Sequence, residues 1–281
     1  GIVGAEGNNG IGVAGISWDV QLMPLKVFSD YEEEPNASHG VISDAIIYAT
    51  NNGADIINLS LGSLTYYNWE EFKQYSDAYD IYNSALNYAA INGVLIVSAL
   101  GNDEKDTEIY SHIPSDFSSE VPGMISVAAI NNKGDLSNFS NHGNLATIAA
   151  PGGQLYENAT QNILSTVPGG QYDYMPGTSM SSPIVAGAAA LLLAQDPTLT
   201  PTQVKELLLD QAASRKELED LIPGGKYLDI YSALSSLTNV SESESTSEIP
   251  VIKIATVNND YTPDPKGFAS INSSTPVIVT A

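Results

Sequence analysis

The sequence has no cysteine and few positive charges. Without cysteine, the 281-residue chain excludes a disulfide framework and any zinc or iron–sulfur site with Cys ligands. Only 10 Lys and Arg stand against 33 Asp and Glu, and the net charge is −23. Such a chain repels nucleic acid and anionic lipid but can attract cations such as Ca²⁺. Long apolar runs are missing too: the longest, Ile184 to Ala194, is too short to cross a bilayer, so we expect no membrane span.

Short apolar runs alternate with longer helical patterns through most of the chain. The predicted strands cover residues 20–28, 56–61, 94–99, 124–130 and 146–150, and the predicted helices cover 41–50, 80–92, 183–195 and 201–211. This alternation indicates parallel βαβ units with helices on both faces of one sheet. The sequence therefore predicts the α/β class, with a mostly parallel central sheet.

The composition changes after Leu234. Residues 1–235 are predicted to form the main domain, and the Ser- and Glu-rich residues 236–249 are typical of a linker. Residues 250–281 contain two short β-like runs, and we expect them to begin a truncated β-rich module. The predicted architecture is thus one α/β domain with a C-terminal β-rich extension.

Residues 177–183 (GTSMSSP) directly precede the predicted helix 183–195. Ser179 would then lie near the positive end of a helix dipole, where an alkoxide or an oxyanion is favoured. A Ser- and Thr-rich helix cap is the alternative, and the spacing alone does not decide between the two. The motif differs from the Gly-x-Ser-x-Gly elbow because position 181 is Ser.

Asn102 follows Gly101 at the carboxyl end of the predicted strand 94–99. Ligands of open α/β sheets bind at this edge. A side-chain amide there could donate to a developing oxyanion, although a plain Gly-Asn turn is the alternative.

Together these motifs resemble those of the subtilisin-like serine peptidases, the subtilase family, from residue 1 to about residue 234. The resemblance implies a three-layer fold in which Ser179 is the nucleophile and Asn102 holds the oxyanion. Residues 58–62 (NLSLG) are similar to the family's substrate-lining strand, and residues 99–101 (ALG) to one wall of its P1 pocket. The implied substrate contacts are Ser60, Leu61, Gly62, Ala99, Leu100 and Gly101.

Residues 7–15 (GNNGIGVAG) look like the loop that holds a structural calcium ion in many subtilases. By that resemblance, the ligands are the side chain of Asn9 and the backbone carbonyls of Gly7, Ile11 and Val13. Oxygen donors of this kind suit Ca²⁺. The resemblance also implies a secreted protein that cuts peptide or protein substrates and associates with a propeptide or an N-terminal segment.

The family's catalytic Asp and His precede its Ser, and this sequence opens on what looks like the end of the His motif. We therefore expect both residues to lie ahead of Gly1, the fold to be incomplete at its N-terminus, and this chain alone to be inactive. His39, His112 and His142 do not follow the family's His pattern, so we expect none of them to be the base. Two alternatives remain: a pseudoenzyme or half of a split enzyme that binds peptides, and an unrelated α/β domain in which Ser179 is only a cap.

Overall fold

The computed structural model describes residues 1–29, 37–156, 158–238, 251–258 and 279–280. In chain order its strands are β1 (Val20–Lys26), β2 (Ile56–Ser60), β3 (Ser63–Leu64), β4 (Leu95–Ala99), β5 (His112–Ile113), β6 (Ile125–Ile130), β7 (Ile148–Pro151), β8 (Ile163–Val167), β9 (Gln171–Met175), β10 (Ala213–Ser214), β11 (Lys226–Tyr227), β12 (Ile252–Asn258) and β13 (Val279–Thr280). Its α-helices are α1 (His39–Asn51), α2 (Trp69–Tyr75), α3 (Asp77–Ile91), α4 (Thr178–Gln195), α5 (Pro201–Asp210) and α6 (Ile230–Thr238).

A nine-stranded sheet forms the centre of the protein, in the order β10-β11-β7-β6-β4-β2-β12-β1-β13. All neighbours from β11 to β1 are parallel, and antiparallel pairs occur at the two margins. Apolar residues of α4 pack on one face of the sheet, and those of α1 and α3 pack on the other. This arrangement confirms the predicted α/β class with helices on both faces.

Helix α4 is long and apolar enough, by length and composition, to cross a membrane. However, 72% of its 18-residue apolar window is buried inside the protein. Burial on all sides is typical of the central helix of a protein core. Its apolar composition is therefore accounted for by packing against the sheet.

Strand β12 lies inside the central sheet, between β1 and β2. This placement differs from the expectation that residues 250–281 begin a separate module. Ile252, Ile254, Ala255 and Val257 are each at most 5% exposed, and a parallel strand with both faces covered can bury such a run. Residues 239–249 of the predicted linker, and residues 250, 259–278 and 281 of the predicted module, lie outside the described residues.

Candidate active site

Ser179 lies in the first turn of α4, which begins at Thr178 rather than at the predicted Pro183. Gly177 precedes the helix with a φ of +152°, a conformation that favours glycine. The helix therefore starts inside the Ser-rich motif, and Pro183 lies within it. Ser179 is half-buried at the positive end of this long helix.

Ser60 connects the end of β2 to the start of α4. Pro183 has no N–H, so the carbonyl of Ser179, four residues earlier, lacks its helical donor. The Ser60 hydroxyl replaces that donor: its Oγ donates to the Ser179 carbonyl oxygen at 2.9 Å and lies 3.0 Å from Ser182 Oγ. Asn58 Nδ2 in turn donates to Ser60 Oγ at 2.9 Å. The strand thus determines where the backbone of Ser179 sits.

Asn102 is fixed beside the same helix start by Thr178. The side-chain oxygen of Asn102 accepts two hydrogen bonds from Thr178, from its N–H and its hydroxyl, both at 2.9 Å. Thr178 Oγ1 also accepts the Gly101 N–H at 3.2 Å. With its oxygen held this way, the Asn102 amide nitrogen, Nδ2, lies close to Gly177 and has no hydrogen-bond partner among the described residues. The exposed Asn102 can therefore donate to a ligand bound at Ser179.

None of the three histidines is a hydrogen-bond partner of Ser179 Oγ among the described residues. Ser179 Oγ donates to the Ser60 carbonyl at 3.4 Å. His39 Nδ1 lies 3.4 Å from the Tyr82 hydroxyl, and His112 is buried in a network of its own. His142 Nδ1 is buried and has no hydrogen-bond partner among the described residues. The expectation that none of the three serves as the base is consistent with these contacts.

The six residues implied as substrate contacts lie on the carboxyl ends of β2 and β4 and just beyond them. They are Ser60, Leu61, Gly62, Ala99, Leu100 and Gly101. The side chain of Leu100 is fully buried in a core cluster with Ala128 and Ile130. What the two segments offer to a ligand is mainly their backbone and their glycines.

An imidazole fills the space between those two glycines. A Cβ on Gly62 would lie 2.2 Å from His112 Cε1, and a Cβ on Gly101 would lie 2.5 Å from His112 Cδ2. Glycine is therefore required at both positions while His112 stays in place. This arrangement depends on the tertiary structure, which brings β5 against the ends of β2 and β4.

His112 belongs to a buried polar network. Its Nδ1 lies 3.0 Å from Ser115 Oγ, and its backbone N–H donates to the Asp116 carboxylate at 2.8 Å. The Ser111 hydroxyl donates to the same carboxylate at 2.8 Å. Burial lowers the pKa of His112 to about 4, although Asp103 acts in the opposite direction. Burial raises the pKa of Asp116 to about 7, against these hydrogen bonds.

Replacing Asp116 with asparagine should make the stability depend on pH in a new way. A raised carboxyl pKa means that the folded protein holds a proton which the unfolded chain releases, so Asp116 lowers stability as the pH rises from about 4 to about 7. The lowered pKa of His112 has the opposite effect from about 4 to 6.5. Of these two effects, only that of His112 remains in the Asp116→Asn variant.

The measurement is urea unfolding of both proteins across this pH range. The free energy of unfolding of the variant minus that of the wild type should rise by up to about 1.4 kcal/mol per pH unit. This difference should stop rising above the Asp116 pKa. Taking the difference cancels the contribution of the remaining acidic groups. A difference that does not change with pH would contradict the assignment.

The proposed calcium loop is exposed and holds no carboxylate among its implied ligands. Asn9 Oδ1 accepts the Ile11 N–H at 2.9 Å, and Ile11 is exposed. Among the described residues, no group of three or more His, Cys, Asp or Glu side chains comes together. The loop therefore offers amide and carbonyl oxygens only, which suit Ca²⁺ but do not form a charged site.

Comparison with known proteins gives consistent results. The sequence model described as "Subtilase family" matches residues 1–241. Over 195 residues the chain is 35% identical to a protein described as "Thermophilic serine proteinase" from Bacillus sp. (strain AK1). That match covers 69% of this chain and 41% of the relative. The chain spans less than half the length of this relative.

Two solved structures share the fold. The structure described as "Proteases from Pseudoalteromonas arctica PAMC 21717" matches with a TM-score of 0.69 at 29% identity, covering 84% of this chain and 69% of that one. An epidermin leader peptide processing serine protease from Staphylococcus aureus matches with a TM-score of 0.69 at 26% identity, covering 88% and 62%.

Proposed function

Because this chain belongs to the subtilase family of serine peptidases, we propose that it carries the nucleophile and the oxyanion hole of a serine endopeptidase. The observation that supports this is the position of Ser179: it lies in the first turn of α4, beside an Asn102 amide whose orientation Thr178 fixes. Such a site needs a nucleophile and an oriented donor on rigid elements. Here a long helix and the end of a buried strand supply both.

In this proposal Ser179 Oγ attacks the carbonyl carbon of the scissile peptide bond. The carbonyl oxygen gains negative charge, and Asn102 Nδ2 and the backbone N–H of Ser179 donate to it. The amine then leaves, an acyl-enzyme forms, and water hydrolyses it. A base must take the proton of Ser179. We assign that role to a histidine other than His39, His112 and His142, so the chain by itself is expected to turn over substrate very slowly.

The test uses the full chain with a fluorophosphonate and with added imidazole as an external base. The Ser179 oxygen should form a bond to phosphorus while fluoride leaves and imidazole takes the proton. We expect one modified residue, Ser179, and a rate that rises with imidazole concentration. Ser179→Ala should abolish the labelling, because the reactive oxygen is gone.

The matched control is Ser181→Ala, two residues further along the same helix. The Ser181 hydroxyl is buried and donates to the Pro151 carbonyl at 3.1 Å, so its removal should leave labelling intact. Labelling that persists in Ser179→Ala, or that maps to Ser181 or Ser182, would overturn the proposal. Peptidase turnover by the chain alone at a rate within tenfold of ordinary subtilases would overturn the assignment of the base.

Peptide binding without turnover is the second candidate function. It is favoured by the contacts of the three histidines, none of which hydrogen-bonds to Ser179 Oγ among the described residues. An extended peptide could then pair with the backbone just beyond the end of β2. This candidate predicts measurable peptide affinity together with no imidazole-dependent labelling of Ser179.

The proposal includes three further features that rest on the family resemblance. They are secretion, a propeptide or N-terminal segment as a partner, and a structural Ca²⁺ ion at Gly7, Asn9, Ile11 and Val13. Leader peptide processing is what the Staphylococcus aureus relative is described as doing, and a peptide substrate is proposed for this chain on the same basis. The Ca²⁺ ion would stabilise the exposed loop, and none of the proposed steps at Ser179 requires it.

A further inference from the structure

A cavity of about 440 Å³ lies at the amino ends of the parallel strands, on the sheet edge opposite the candidate active site. Thr147, which directly precedes β7, and Lys226, the first residue of β11, both line it. Lys205 of α5 and Ser118 of the short helical turn Ser115–Ser119 line it as well. Among the described residues around the cavity, none belongs to the candidate active site, so the cavity is a separate feature.

The cavity is positively charged although the chain is strongly acidic. Two of the ten Lys and Arg residues, Lys205 and Lys226, line it, and none of its described lining residues is Asp or Glu. Neither lysine forms an ion pair with a carboxylate in the part of the chain that the structure describes. With 33 Asp and Glu residues in the chain, carboxylates are abundant, yet these two ammonium groups lack one. Their charges therefore favour an anionic ligand.

The two ammonium groups keep hydrogen-bond donors for such a ligand. An ammonium group has three N–H donors, and Lys205 Nζ uses one of them on the Ser118 carbonyl at 3.1 Å. Lys226 Nζ has no hydrogen-bond partner among the described residues. Burial lowers the pKa of Lys205, and a bound anion would oppose that effect because it stabilises the charged form.

The other walls of the cavity are fixed by hydrogen bonds and are partly apolar. Ser118 Oγ donates to Ser126 Oγ at 3.0 Å, and Ser126 Oγ lies 3.0 Å from Thr147 Oγ1, so these hydroxyl groups bond to one another. Leu145 and Leu209 add apolar surface to the lining. Apolar walls with a few convergent polar groups, and a volume of this order, are typical of small-molecule sites. An organic anion would cover the apolar surface, whereas a bare inorganic ion would not.

We propose that this cavity binds a small organic carboxylate. The carboxylate oxygens accept hydrogen bonds from Lys205 Nζ and Lys226 Nζ, and an apolar group of the ligand packs on Leu145 and Leu209. Hydrogen bonds between two charged groups are stronger than those between neutral groups, so the carboxylate supplies most of the selectivity. The site goes beyond the proposed function, because no step at Ser179 depends on it.

The experiment compares two ligands of nearly the same shape, N-acetylleucine and its neutral amide, by titration calorimetry of the unmodified full chain. The acid should bind with a Kd of about 1 mM or lower, which is within reach of a ligand of this size. The amide should bind at least about tenfold more weakly, because it loses the charge-assisted hydrogen bonds. Inorganic phosphate should also bind more weakly than the acid, because it has no apolar part.

Two variants assign the binding to the cavity. Lys226→Met keeps an apolar side chain of similar length and removes an ammonium group without a described partner, so it should fold and bind the acid at least about tenfold more weakly. The matched control is Lys133→Met, which makes the same change of charge at an exposed position outside the cavity lining. Its affinity should stay within about twofold of the wild type, because exposed charges are screened by salt.

Lysine acylation on the unmodified chain provides a second measurement that needs no variant. Bound N-acetylleucine should slow the reaction of Lys205 and Lys226 with an N-hydroxysuccinimide ester and leave that of Lys133 unchanged. Equal protection of all three lysines, equal affinity for acid and amide, or no binding of the acid would overturn the proposal. Equal affinity for phosphate and the acid would overturn the organic part of the ligand.

A carboxylate could instead bind at the candidate active site, and the Ser179→Ala variant tests this alternative. If affinity for N-acetylleucine survives in Lys226→Met and is lost in Ser179→Ala, the proposal is wrong. None of these measurements uses the reactivity of Ser179. Failure here and failure of the proposed function are therefore distinguishable.

Discussion

Replacing Asn102 with aspartate is expected to slow the imidazole-assisted labelling of Ser179 by about 10²–10³-fold. This range is the known cost of losing an oxyanion-hole asparagine in a subtilisin, a member of the same family, and it is carried over from there. Aspartate keeps the size of the side chain and the oxygen that Thr178 holds. It replaces the amide donor with a second carboxylate oxygen, which repels the developing negative charge.

The rate of labelling by one fluorophosphonate, followed by intact mass, is the measurement. Asn132→Asp is the control, because it makes the same substitution at an exposed loop position. Its rate should stay within about twofold of the wild type. If Asn102→Asp reacts as fast as this control, Asn102 does not hold the oxyanion.

Replacing His112 with glycine should change which substrates the site accepts. The imidazole occupies the space between Gly62 of the implied substrate-lining strand and Gly101 of the implied P1 pocket wall, so an aromatic substrate side chain has no room there. Removing it leaves space between the two glycines. Burial of a phenyl ring is worth about 2–3 kcal/mol, so a probe with a benzyl side chain should react roughly 30- to 150-fold faster with the variant.

Two peptidyl phosphonates that differ only in that side chain, methyl or benzyl, give the measurement. The wild type should prefer the methyl probe, and His112→Gly should prefer the benzyl probe. His39→Gly is the control. His39 lies at the start of α1 and contacts Tyr82, so its replacement should leave the preference unchanged. The thermal transition of each variant checks that it folds. An unchanged probe ratio in a folded His112→Gly would show that the substrate side chain binds elsewhere.

Most of the central sheet is predictable from local pattern. The apolar runs around Ile56, Val97 and Val127 are short and lie between polar turns, and each became a strand within one or two residues of its predicted bounds. Several elements were not predicted, although for some of them local signals exist. Helix α2 begins with a capping box between Asn68 and Glu71, and Gly169-Gly170 separates the strands of the β8–β9 hairpin.

The start of α4 shows where local rules are insufficient. Proline is common in the first turn of a helix, which is why Pro183 predicted a start there. In the structure Pro183 lies inside the helix, because Ser60 from a distant strand satisfies the carbonyl that proline leaves without a donor. A hydrogen bond between residues 119 positions apart thus overrides the local preference.

The sequence by itself determined the α/β class, the family and the motifs around Ser179 and Asn102, because strand and helix patterns and short motifs are local properties of the chain. Only the tertiary structure decided three other features: the position of β12 in the sheet, the imidazole of His112 between two glycines, and the orientation of Asn102 by Thr178. Each depends on segments that are far apart in the chain and are brought together by burial. The pattern of residues 252–258 shows that they form a strand, but only packing selects the edges to which that strand pairs.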